Sequence, residues 1–83
     1  MDKKDLIGKV VHYYDKIGVA VIKLVKPLKI GDKVKFKKVD LFFDQTIESM
    51  QLEHEQVKSG KRGEEIAVKV DKVAKDGTEV YKI

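Results

Sequence analysis

The stretch Lys29-Ile30-Gly31-Asp32-Lys33-Val34-Lys35-Phe36-Lys37 reads as a tight turn running into a strand. From Lys33 onward lysine and apolar residue alternate. Successive strand side chains point to opposite faces, so Val34 and Phe36 turn inward and Lys33, Lys35 and Lys37 outward. Gly31 supplies positive φ if the turn requires it. Ile66, Val68 and Val70 repeat the same period further along. Ile7 to Tyr14 is rich in strand formers and is followed by Asp15-Lys16, a hairpin turn. Gly18 to Val25 is apolar on both faces, as a central or wrapped strand would be, and it stops before Pro27, which cannot donate to a ladder.

Leu41 to Leu52 carries apolar residues at 41, 42, 43, 47, 50 and 52. The break in period between Ile47 and Met50 implies a bulge or a bend. Glu53 to Gly63 is polar apart from Val57 and reads as a loop anchored there; Asp76-Gly77 is a hairpin signal before a last strand from Thr78 to Ile83. No stretch sustains a helical i, i+3, i+4, i+7 repeat. The expectation is an all-β, six-stranded antiparallel Greek-key β-barrel over residues 1–83, one domain with a frayed start at 1–5. Its expected core contains Val10, Val19, Val21, Val34, Phe36, Met50, Ile66, Val68 and Val70.

At 83 residues the chain has room for one core, and 42% hydrophobic residues supply it beneath a surface drawn from 39% charged ones. The absence of cysteine excludes a disulfide framework, a thiolate nucleophile and a cysteine zinc site, and suits a reducing compartment. Neither a membrane-spanning run nor a signal peptide is visible, so the expected location is cytoplasmic, with no membrane partner. Lysine and glutamate abundance also fits a heat-adapted organism. Charge is uneven along the chain: Lys16 to Lys38 holds eight lysines against one acid, and Asp40 to Glu55 holds five acids and no lysine or arginine. The basic block is either a face that meets phosphates or a set of solvated strand positions. Arg62 is the single arginine.

Catalytic groups are sparse. His12, in an apolar strand beside Tyr13 and Tyr14, reads as a partly buried residue rather than a base. In Glu53-His54-Glu55, strand alternation would send the imidazole away from both carboxylates, which argues against a metal site. Ser49 and Ser59 have no neighbouring base in sequence. Gly60-Lys61-Arg62-Gly63 lacks the length and the hydroxyl residue of a phosphate-binding loop. Tyr13, Tyr14 and Tyr81 either stack on bases or fill barrel ends. No catalytic set, metal or cofactor is expected.

Gly8-Lys-Val, Leu28-Lys-Ile-Gly-Asp-Lys-Val34, Ile47-Glu-Ser-Met-Gln-Leu52 and Gly63-Glu-Glu-Ile-Ala-Val-Lys-Val70 resemble, in order and spacing, the second domain of translational GTPases such as elongation factor Tu and initiation factor Two. Tyr13-Tyr14, Gln45 and Val80-Tyr81-Lys82 bring the chain nearer to the C-terminal barrel of collagenase-like peptidase family proteins, a family implicated in tRNA hydroxylation, and to free-standing translation elongation factor-like proteins. The resemblance implies a non-catalytic binding module that contacts tRNA, ribosomal RNA or a translation-associated protein. The alternative it implies is an accessory protein-interaction subunit of a separately encoded peptidase-like or RNA-modifying enzyme. In elongation factor Tu-like barrels an acid at the position of Gln51 lies beside the terminal adenosine of aminoacyl-tRNA. Lys23, Lys26, Lys29, Lys33, Lys35, Lys37, Lys58, Lys61 and Arg62 are the expected phosphate contacts.

Overall fold

The alternation at Lys33 becomes a strand whose inward residues, Val34 and Phe36, are wholly buried. Around it, a computed structural model describes residues 5–39, 41–53 and 55–83. The strands are β1 (Leu6–Tyr14), β2 (Val19–Leu24), β3 (Leu28–Lys29), β4 (Lys33–Lys38), β5 (Leu41–Thr46), β6 (Met50–Leu52), β7 (Glu55–Gln56), β8 (Ser59–Gly60), β9 (Glu65–Lys69) and β10 (Glu79–Lys82). Every pairing is antiparallel. One eight-stranded sheet runs β5-β4-β10-β1-β2-β9-β6-β7, and β3 and β8 form a separate ribbon. Among the described residues no helix is long and apolar enough to cross a membrane.

The all-β class is as expected; the six-stranded closed Greek-key barrel is not what forms. The expected strand from Leu41 to Leu52 divides into β5 and β6, and the expected loop from Glu53 to Gly63 contributes β7 and β8. The sheet ends at β5 and β7 without a ladder between them. Yet only Ile47, Glu48 and Ser49 separate β5 from β6, which lie near opposite ends of the strand order, so the sheet curls until its ends approach. The bend is pinned by the Gly31-Asp32 turn: the Gly31 N–H donates to the Ile47 carbonyl at 2.8 Å and the Ile47 N–H to the Asp32 carbonyl at 2.9 Å. Gly31 takes the positive φ, 96°, that its turn requires.

A side chain spans the remaining gap. β6 pairs with β9 as far as Met50 opposite Val68, and beyond that point the buried Gln45 of β5 takes over. Its Nε2 donates to the Lys69 carbonyl at 2.9 Å, and its Oε1 accepts from the Asp71 N–H at 3.0 Å. A carboxamide has one donor group and one acceptor, as a peptide unit has, so it extends the ladder where the backbone does not.

The core gathers Ile7, Val10, Ala20, Ile22, Leu24, Val34, Phe36, Ile66, Val68 and Val80 with their neighbours, and Phe36 stacks on Phe43 at 4.8 Å between ring centroids. Val19 and Val21 do not belong to it. Ile22 faces Val10 and Ile66 across the sheet and Ala20 faces Val68, so the even-numbered residues of β2 point inward and the two valines stand half-buried on the outer face. A strand apolar on both faces carries no phase of its own; its partners set the phase. The hairpin expected at Asp76-Gly77 also fails to form. The turn is present, with Gly77 at φ 89°, but β9 pairs with β2 and β6, whereas β10 pairs with β1 and β4. The connection is held instead by Ala74, wholly buried, and by the Gly77 N–H donating to the Val10 carbonyl at 2.7 Å.

Candidate functional site

A bulge in β1 prepares one surface. Val10 lies opposite Ile22, but the register shifts before His12, which lies opposite Val21. The inserted residue, Val11, reverses the phase that plain alternation would give. His12 and Tyr14 therefore face outward, with ring centroids 4.3 Å apart, while Tyr13 packs against the core. His12 is exposed, contrary to the partly buried position expected for it.

Register then builds a row across the outer face: His12, Val21, Ala67, Gln51 and Gln56 are successive neighbours on β1, β2, β9, β6 and β7. The valines, Ala67 and Gln51 form the floor of a groove of about 820 Å³, with Tyr14, Ile17 and Leu52 as its apolar wall. Glu53, Glu64 and Glu65 rim it, and its described lining contains no lysine or arginine. The Glu64 carboxylate also accepts the Lys61 N–H at 2.7 Å, fixing the turn that leads into β9. Gln51 thus stands beside these carboxylates, with Lys69 across a smaller cleft, and away from the lysines expected to meet phosphates.

The lysines divide between places. Lys33, Lys35 and Lys37 follow one another on the outer side of β4, where Lys35 lies 3.9 Å from Asp44 and Lys37 faces Glu79 across the ladder. Lys23 stands between Lys9 and Glu65 on neighbouring strands. Lys58 and Arg62 are exposed on either side of β8. Lys26, Lys29 and Lys61 are brought together, and Lys82 joins them, around a cleft of about 410 Å³ whose lining includes Ile7, Leu28 and Ser59. Asp5 and Asp32 share that cleft, and Asp32 is engaged in its own turn, accepting the Lys29 N–H at 3.0 Å. Lys82 escaped sequence reasoning because nothing in its own segment brings it to Lys26. That proximity arises from the β10–β1 and β10–β4 pairings.

The groups considered for catalysis stay apart. Ser59 lies in the lysine cleft, His12 on the outer face beside the groove, and Ser49 is half-buried at the bend. Among the described residues there is no group of three His, Cys, Asp or Glu that could hold a metal; His54 of Glu53-His54-Glu55 lies outside them, as do residues 1–4 of the expected frayed start. Tyr81 is buried at 4% exposure, outside the core cluster, and its hydroxyl donates to Glu79 Oε1 at 2.9 Å. That hydrogen bond to a carboxylate, with burial and the carboxylate charge in support, raises the phenol above its ordinary pKa.

No protein-family model matches the chain. An uncharacterised protease of Methanocaldococcus jannaschii is 38% identical over 80 residues, which span 95% of this chain and 20% of that protein. A solved structure of the C-terminal domain of a putative U32 peptidase from Geobacillus thermoleovorans matches 100% of this chain and 97% of its own, with a TM-score of 0.91 at 20% identity. The chain has the fold of that domain. A selenomethionine variant of the same domain gives a TM-score of 0.88 at 21% identity, over 93% of this chain and 98% of its own. Of the two resemblances in the sequence, these structures bear on the one to the C-terminal domain of collagenase-like peptidases. The chain spans about a fifth of the length of the curated relative it matches.

Proposed function

We propose that the chain is an accessory, non-catalytic binding domain of a U32-peptidase-like protein, serving that protein by docking rather than by chemistry. The observation that carries this is the extent of the match: nearly the whole chain corresponds to a fifth of a protein named as a protease. A segment of that share adds a surface to an enzyme whose remaining length holds room for the chemistry. The likeness to a peptidase C-terminal domain over 100% of the chain gives the same direction. The test is a titration of the purified chain with the Methanocaldococcus jannaschii protease from which the matched stretch has been deleted, followed by calorimetry and by co-elution on size exclusion. Saturable association supports the assignment. Its absence at concentrations well above micromolar removes it.

A second function, contact with the phosphates of single-stranded RNA, is favoured by one observation, the convergence of Lys26, Lys29, Lys61 and Lys82 on a single cleft. Counterion release would then give a slope of log K against log salt of about −0.7 for each phosphate engaged. Reversing Lys26, Lys29 and Lys61 to Glu abolishes such binding. RNA binding indifferent to that reversal, or none at low salt, leaves the cleft without this role.

A further inference from the structure

We infer that the outer-face groove receives an extended peptide segment in which apolar side chains are flanked by lysine or arginine, an inference that rests on the accessory-domain reading above and supplies the chemistry of the partner. The floor is the first argument. In a chain with 39% charged residues, outward positions of β4 are lysines, yet the outward positions of β2 at the groove are Val19 and Val21, with Ala67 opposite Val21 on β9. Tyr14 and Ile17 add apolar surface at 48% and 63% exposure. Single exposed apolar residues are ordinary, but a continuous set lining one concave site marks a place where another surface is covered.

Charge selects the occupant. Glu53, Glu64 and Glu65 rim the apolar floor and outnumber the lysines at its borders, Lys69 opposite Val19 and Lys23 opposite Glu65, although the chain as a whole carries a net charge of +4. A basic segment is repelled by the molecule at large and attracted here, whereas a phosphodiester strand meets three carboxylates. Gln51 makes the floor suited to backbone as well as side chains, since its carboxamide offers both a donor and an acceptor to an extended chain crossing it. At about 820 Å³ the open groove has room for several side chains of a segment laid across it.

Fluorescence anisotropy with the full chain tests this. The probe is a short labelled peptide alternating lysine and leucine, and its control alternates glutamate and leucine. The lysine peptide binds saturably and the glutamate peptide does not. Val21→Lys, which places a cation on the floor, weakens the lysine peptide, and the double variant Glu53→Lys/Glu65→Lys weakens it about tenfold, the size expected when two modest charge contacts are reversed. The double variant gains affinity for the glutamate peptide. Glu64 is left in place because its carboxylate holds the Lys61 turn. Circular dichroism of each variant confirms that the sheet is intact. Equal binding of the two peptides, or indifference to both variants, overturns the inference. If the truncated protease binds but the lysine peptide neither binds nor competes, the groove inference fails and the accessory role stands. If the peptide binds and the truncated protease does not, the accessory role fails and the groove inference stands.

Discussion

Gln45 closes the curled sheet with a side chain, and replacing it measures what that closure contributes. Gln45→Leu keeps the side chain close in size while removing the bond to the Lys69 carbonyl and the bond from the Asp71 N–H. Each such bond contributes roughly 0.5–1.5 kcal/mol net. The two backbone groups are only part-buried, so water reaches them and the full penalty for an unsatisfied buried group does not apply. The expected loss is therefore about 2 kcal/mol, which for a domain of this size lowers Tm by roughly 8–16 °C. Gln45→Glu separates chemistry from shape. A carboxylate still accepts from Asp71, but it cannot donate to Lys69 and sets a negative charge against that carbonyl. Its folded-state pKa is raised, so the folded protein holds the proton more tightly than the unfolded one, and the deficit fades as pH falls through that raised value. Thermal unfolding by circular dichroism, at neutral pH and near pH 4, reads both variants. A Gln45→Leu protein within about 0.5 kcal/mol of the parent, or a Gln45→Glu protein with no recovery in acid, refutes the closure argument.

Phe36→Ala removes a wholly buried ring stacked on Phe43, and denaturant unfolding should show a loss of about 3–5 kcal/mol; an unchanged midpoint would place the ring at the periphery. Gly8→Ala is expected to unfold the chain or shift β1 from β2, because an added Cβ would press on the Lys23 carbonyl, which is backbone and cannot rotate away; a native-like thermal transition would show the two strands to be more pliant than this. The raised phenol of Tyr81 makes the folded state hold its proton longer than the unfolded state, so stability declines as pH rises above the ordinary tyrosine value of 10.0. Glu79→Gln removes the carboxylate that leads this effect, and ultraviolet titration should then show Tyr81 ionising at lower pH, an identical titration curve counting against it.

How far the sequence could be read depended on where the information resides. β4, β9 and the Gly31-Asp32 turn were legible because alternation and turn chemistry are local, and so was the bend after Thr46, where the period broke. The phase of β2 was not, since Val19 to Leu24 offers an apolar face on either side and only pairing with Val10 and Ile66 chooses between them. The bulge at Val11 was hidden for the same reason: three consecutive residues that suit either face carry no mark of the one that is inserted. β3, β7 and β8 are two residues each, too short to have a period at all. The groove followed the same logic. Its glutamates and Gln51 were visible as residues, but the floor came from the two valines assigned to the core.

Charge shows how topology redistributes what the sequence lays out in blocks. Lys33, Lys35, Lys37 and Lys38 of the basic run lie on β4 and Asp44 of the acidic run on β5, where antiparallel pairing sets Lys35 opposite Asp44. At 3.9 Å and on the surface that pair adds little stability, but it interrupts the cationic face that the lysines of β4 would otherwise form. The faces that do emerge draw on residues remote in sequence: Lys26, Lys29, Lys61 and Lys82 around one cleft, and Glu53, Glu64 and Glu65 around the groove. The turn from Lys61 to Glu64 joins them, with Lys61 lining the first, Glu64 lining the second, and the Lys61 N–H bonded to the Glu64 carboxylate. That bond uses the backbone of Lys61, so reversing its side chain leaves the turn standing. Substitutions in the cleft should therefore change RNA binding without altering peptide binding, and those in the groove should do the opposite. A lysine-cleft reversal that weakened the basic peptide as strongly as Val21→Lys would mean that the two surfaces act as one.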